Sequence, residues 1–259
     1  MKEERPAARR SIAWDAIEDA AGALPERARA VIGGTWRERM RQEHLAVGAF
    51  AQLTQELASV GCDAAVLELV ARASSDEVRH AEICRRVATA MLGEKAVPRA
   101  WRGLPRIPMH PRVDVGTRAL LHVVEMCCLS ETLTGVFFTE MHSRATHPAM
   151  RAVIESLLED EIDHGRVGWA YLGARAQAGA LDGLAPALPA MLDRTFGRVL
   201  RALGSVEDDD SMEAFGYIRE GSSAPIFRRA LRDVVVPGFE LLRIDLSASR
   251  EVLEGLLPA

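Results

Sequence analysis

Two segments of the chain, Asp76-Glu77-Val78-Arg79-His80 and Asp160-Glu161-Ile162-Asp163-His164, each set a glutamate three residues before a histidine, and no other glutamate in the sequence has that relation to a histidine. On a helix this spacing puts both side chains on one face, one turn apart. Glu43 precedes the first unit and Glu131 the second, so the order is Glu, Glu-x-x-His, Glu, Glu-x-x-His. That is the donor order of a carboxylate-bridged two-metal site built inside four helices.

The rest of the chain is compatible with such a bundle. Its 259 residues can bury a large core, aromatic residues make up only 5%, and Ala, Leu, Arg and Glu, all good helix formers, are abundant. A formal net charge of −5 argues against nucleic acid as a partner. The four cysteines, Cys62, Cys84, Cys127 and Cys128, show no Cys-x-x-Cys spacing, which disfavours a disulfide framework or a zinc knuckle. The charged start, Met1 to Arg10, does not read as a secretory signal, and no segment reads as a bilayer span. The expected setting is the reducing cytoplasm, with no membrane partner.

In chain order, residues 1–24 read as an N-terminal arm with a helical turn through Trp14 and Ile17. From Pro25 to Ser59, Trp36, Met40, Glu43, Val47, Phe50 and Thr54 fall on one helical stripe. Glu38 and Glu56 lie roughly 140° around from Glu43 and are expected to face solvent. Gly61 suits a helix C-terminus and Asp63 the next N-cap. The second helix runs to about Leu92 with Val70, Glu77, His80 and Cys84 inward, and Gly93 ends it. Pro98, Pro105, Pro108 and Pro111 make residues 94–112 an extended crossover.

The third helix, from about Asp114 to Ala145, turns Leu120, Val124, Cys127, Glu131, Gly135, Phe138 and His142 inward. His147-Pro148 forces a turn. The fourth, to about Gly179, carries Ile154, Leu157, Glu161, His164, Gly168 and Tyr171 on its inner face. Gly179 to Pro189 reads as a loop. A fifth helix to about Leu203 follows, then a solvated acidic break at Glu207 to Asp210 and further helical pieces interrupted near Gly221 and Pro237-Gly238. Residues 25–179 are thus expected to form the bundle, and 180–259 a helical extension packing on it.

Helix rise tests whether the donors can meet. At 1.5 Å per residue, Glu43 lies about 27 Å before the first turn and Glu77 about 22 Å after it; the second hairpin gives about 24 Å and 21 Å. Within each hairpin the levels agree to within the reach of a carboxylate side chain. Four carboxylates and two imidazoles suit two iron ions, or alternatively manganese, better than zinc or copper. The expected division puts Glu43 with His80, Glu131 with His164, and Glu77 and Glu161 as bridges. Four negative charges balance two divalent ions. Asp160 and Asp76 are placed to take the remaining N–H of His80 and His164, crossing between the halves.

The Asp76–His80 segment resembles the Asp-Glu-x-Arg-His signature of diiron carboxylate proteins, a superfamily that includes ferritins, rubrerythrins, bacterial multicomponent monooxygenases, ribonucleotide reductase small subunits, arylamine N-oxygenases and aldehyde-deformylating oxygenases. The resemblance covers residues 25–179 and implies an all-α, ferritin-like four-helix bundle with a long crossover, here with additional C-terminal helices. It also implies dioxygen or peroxide activation at two metals, a small organic substrate and an external electron donor. Peroxide dismutation at manganese and a non-enzymatic metal-binding role are the alternatives, and a homodimer is compatible with the sequence. The second unit carries Asp163 where the signature has arginine, which leaves the Arg–Asp cross-pairing to one side. Cys84 stands where ribonucleotide reductase small subunits carry the radical tyrosine, which disfavours that activity.

Around the donors, Cys84, Cys127, Thr134, Gly135, Phe138 and Tyr171 are candidates to line a pocket. Arg219, Arg228, Arg229 and Arg232 are candidates for binding an anion. His44, His110, His122 and His147 receive no role.

Overall fold

A computed structural model describes residues 11–99, 110, 112–197, 200, 210–218 and 220–258. Among them there are eight helices and no strand: α1 (Trp14–Ala23), α2 (Glu26–Ser59), α3 (Ala64–Leu92), α4 (Val115–Arg144), α5 (Pro148–Gln177), α6 (Leu184–Leu192), α7 (Glu220–Ala230, continued through Leu231–Val235 and Val236–Leu241) and α8 (Arg250–Leu256).

Helix boundaries follow local chemistry. Gly61 takes φ +68°, and the Asp63 carboxylate accepts from Ala65 N at 2.9 Å, so α2 stops and α3 starts within four residues. Asp114 caps α4 by accepting from Gly116 N and Thr117 N, and Pro148 opens α5 at a position where its missing N–H costs nothing. Pro186 sits likewise in the first turn of α6, so the segment read from sequence as a loop to Pro189 is already helical from Leu184. Most of the crossover, including Pro105, Pro108 and Pro111, lies outside the described residues, as do Glu207, Asp208, Asp209 and Arg219.

Helices α2, α3, α5 and α4 form a closed ring in which each packs on the next. Inside the ring are two apolar clusters. One gathers Phe50, Leu53, Val70, Leu120, Leu129, Val167 and Leu172, and continues into the tail through Leu188, Phe196 and Phe239. The other gathers Trp36, Met40, Ile83, Val87, Phe138, Ile154 and Leu157 with Ile17 of α1. On each of the four helices the metal-donor candidates fall between these two sets, so they form a polar waist between two dry regions.

The tail packs on the bundle. Phe227 stacks on Phe137 with centroids 5.5 Å apart, Phe239 meets Trp169 at 5.4 Å, and Arg229 bonds Glu140 at 2.7 Å. Gly238 permits the Trp169 contact, since a Cβ there would come within 2.7 Å of the indole. Helix α4 is long and apolar enough to span a bilayer by composition, contrary to the expectation from sequence, but it is a core helix whose most apolar window is 61% buried.

Two other expectations are corrected. Glu38 is exposed, but Glu56 is buried, with His122 Nδ1 at 2.6 Å, Arg118 Nε at 3.2 Å and Gln52 Nε2 at 3.1 Å. His122, given no role from sequence, is therefore a buried partner of that glutamate. The stripe argument failed because α4 covers α2 on a second side, and a buried carboxylate is tolerated when its charge is paired.

Candidate metal centre

The six donor candidates come from all four helices of the ring. Glu43 comes from the middle of α2, Glu77 and His80 from α3, Glu131 from α4, Glu161 and His164 from α5. Helix α4 is not regular at this level: residues Val124–Glu131 form a π-helical stretch, and Ser130 Oγ donates to the Glu125 carbonyl at 3.0 Å. Such stretches recur where a helix must re-aim a functional side chain. Glu131 is the last residue of this one.

The donors fall into two groups whose facing atoms all lie within 4.8 Å of one another: Glu43, Glu77, His80 and Glu161, and Glu77, Glu131, Glu161 and His164. Glu77 and Glu161 belong to both. His80 Nδ1 lies 3.5 Å from Glu77 Oε2 and 3.3 Å from Glu161 Oε1. His164 Nδ1 lies 3.3 Å from Glu77 Oε1 and 3.5 Å from Glu161 Oε2. Each of the two carboxylates thus turns one oxygen toward each imidazole, and the rings stand 5.9 Å apart.

The surroundings are dry. Glu43, Glu77, His80, Glu161 and His164 are buried, and only Glu131 is partly exposed. Glu77 Oε2, both Glu161 oxygens and the Nδ1 atoms of His80 and His164 have no hydrogen-bond partner. Buried carboxylates and imidazoles that converge on one point without well-formed hydrogen bonds are costly for a protein by itself and fit a cation held between them.

The outer edge of each imidazole faces an aspartate of the opposite half. His80 Nε2 is hydrogen-bonded to Asp160 Oδ2 at 3.1 Å, while His164 Nε2 stands 3.7 Å from Asp76 Oδ2, within ion-pair but not hydrogen-bond range. Carboxylates at this position orient a ligating ring and make it a better donor. Arg79 pairs with Asp160 and reaches Ser156 Oγ at 2.8 Å. On the other side Asp163 replaces the matching arginine, but Arg72, one turn before Asp76, stands 3.5 Å from Asp76 and 3.2 Å from Asp163. The cation missing from α5 is supplied by α3. Sequence reading passed over Arg72, although its i, i+4 spacing to Asp76 was the available signal.

Crowding sets the protonation. Burial first, then Glu77 and Glu161, pushes the Glu43 carboxyl well above its ordinary range, and burial with Glu161 does the same to Glu131. Burial opposes charge on Glu161 too, but the imidazoles of His164 and His80 prevail and hold its pKa well below the ordinary value. Burial likewise opposes charge on the imidazoles. Asp160, Glu161 and Glu77 outweigh it at His80, and Asp76, Glu161 and Glu77 at His164, so both are raised.

The pocket candidates divide. Cys84 and Cys127 are fully buried beside the donors, and burial raises both thiols, Glu43 adding to it at Cys84 and Glu131 at Cys127, so they stay neutral. Thr134 and Gly135 are partly exposed, and a Cβ at Gly135, one turn after Glu131, would meet nothing within 4 Å. Phe138 belongs to one apolar cluster and Tyr171 to the other, so they lie on opposite sides of the centre. Of the arginines considered for an anion, Arg228 bonds the Leu256 carbonyl, Arg229 pairs with Glu140 and Arg232 with Asp233.

A buried cluster of glutamates and histidines able to hold metal ions is therefore the candidate functional site. In comparisons with known proteins the chain matches no family model, no curated protein and no solved structure.

Proposed function

We propose that this protein is an oxidoreductase of the ferritin-like diiron type. Glu43 and His80 would hold one ion, Glu131 and His164 the other, and Glu77 and Glu161 would bridge. The observation that carries this reading is the pair of shared carboxylates, each turning one oxygen to each imidazole Nδ1. When bound, a pair of iron ions supplies redox equivalents and Lewis acidity for activating dioxygen or peroxide.

The chain's own contribution is orientation and exclusion of water. Asp160 fixes the His80 ring and Asp76 faces that of His164, Arg79 and Arg72 hold those aspartates, and the apolar clusters on both sides keep the waist dry. Glu131, at the partly exposed edge and one turn before Gly135, is where a small organic substrate would approach. Electrons would come from an external donor, and the reading places the protein in the cytoplasm.

The test is anaerobic loading of metal-free protein with Fe(II), metal analysis, and measurement of oxygen uptake on exposure to air. Two irons per chain with oxygen consumption is the expected result. Selective retention of manganese with rapid oxygen release from peroxide would replace it with a dismutase, and metal uptake without either reaction would leave a metal-binding protein.

A further inference from the structure

The two halves of the centre are held differently. On the His80 side, Nε2 is hydrogen-bonded to Asp160 at 3.1 Å, and Asp160 is in turn paired with Arg79. Arg79 is itself fastened to α5, donating to Ser156 Oγ at 2.8 Å and to the Ser156 carbonyl at 3.0 Å. This series of contacts lies largely out of water, the Arg79 and Asp160 side chains being 27% and 8% exposed. Glu43, the carboxylate peculiar to this half, is buried.

On the His164 side each step is looser. Nε2 has no hydrogen bond and stands 3.7 Å from Asp76, and the ring is positioned by packing on Phe50, with centroids 5.1 Å apart. The cation beside Asp76 is Arg72, at 3.5 Å, which also reaches Asp163 at 3.2 Å. The Arg72 and Asp163 side chains are 49% and 43% exposed, so water and salt screen them more than they screen Arg79 and Asp160. Glu131, the carboxylate peculiar to this half, is partly exposed and ends the π-helical stretch.

Donors aligned in advance lose less freedom on binding a cation, and the outer partner of a ligating imidazole is worth about 10–100-fold in metal affinity. We propose that the two metal positions are unequal: Glu43 and His80 hold one ion tightly, Glu131 and His164 hold a second roughly tenfold or more weakly, and Arg72 is the positioning residue that sets the weaker affinity through Asp76. The proposal rests on the two-metal reading of the centre. The second ion is the exchangeable one, so the supply of metal ion decides whether the protein carries one ion or two.

The experiment is anaerobic calorimetry of the full-length, metal-free protein with Fe(II). Two steps are expected, with dissociation constants at least about tenfold apart. Glu131→Ala should keep the tighter step and Glu43→Ala the weaker one. Arg72→Ala should weaken the second step about tenfold and leave the first within about twofold, while Arg72→Lys keeps most of the second. Raising salt from about 0.05 to about 0.5 M should widen the gap between the steps. Constants less than tenfold apart, a Glu131→Ala protein that loses the tighter step, or an Arg72→Ala loss shared by both steps overturns the proposal. A loss confined to one step also guards against misfolding of the variant, which would weaken both. Two ions bound with equal affinity refutes the inequality alone, whereas a wild-type protein that binds no Fe(II) refutes the metal centre and the inequality with it.

Discussion

At the residue scale, Glu77 and Glu161 are distinguished from the other donors by belonging to both groups. Removing either as Glu→Ala is expected to reduce metal stoichiometry from two to one or none, and metal analysis after Fe(II) loading checks it; retention of two ions would refute the bridging assignment. The aspartates act through the rings. Asp160→Asn should weaken metal binding by about 10–100-fold without changing the number of sites. Protonation provides an independent check. Glu43 and Glu131, with His80 and His164, have raised pKa values in the metal-free protein. A raised folded-state value means stability fully present below the unfolded pKa, about 4.3 for glutamate and 6.5 for histidine, and lost as pH climbs through the folded value. Metal displaces those protons, so the gain in melting temperature on loading should grow between pH 5 and 8, with proton release during binding. A gain independent of pH would exclude these residues as ligands.

At the scale of elements, the contact between α4 and α5 sets the position of Glu131 relative to Glu161. Gly168 faces the π-helical stretch so closely that a Cβ there would come within 2.4 Å of Cys127 Cβ and 3.1 Å of the Cys128 nitrogen. Backbone cannot yield as a flexible side chain can, so Gly168→Ala is expected to cost about 1–3 kcal/mol by overpacking. It should also push α5 away, and thermal melts together with metal affinity should fall in parallel. Loss of stability with unchanged affinity would show that the centre tolerates movement between these helices. The π-helical stretch itself was invisible in the sequence. Its residues show ordinary helical periodicity, and the additional residue in the turn is decided by how α4 meets α5 and the tail.

At the scale of the whole molecule, the tail is tied to the waist of candidate metal donors. Phe239 packs on Trp169, whose Nε1 donates to Thr132 Oγ1 at 3.0 Å, and Thr132 follows Glu131. Phe239→Ala should cost about 3–5 kcal/mol, as expected for emptying a fully buried aromatic site. It should also loosen the Glu131 side of the centre before the Glu43 side. Replacing a donor is informative only if the bundle survives, so Glu77→Ala should be read beside far-ultraviolet dichroism.

The sequence by itself determined the all-helical character, the helix hairpins and the level at which six donors meet. Rise per residue and helical phase are local properties, and Glu43, Glu77, His80, Glu131, Glu161 and His164 obey them. What only the tertiary structure decided depends on which helix covers which face. It buried Glu56 against His122 and let Arg72 stand in for the arginine that α5 lacks at position 163. It also set the Arg39 guanidinium over the ring of Phe138, 4.4 Å from its centroid, one turn before Glu43. Periodicity records the side of a helix on which a residue stands, and contains nothing about the neighbour waiting there.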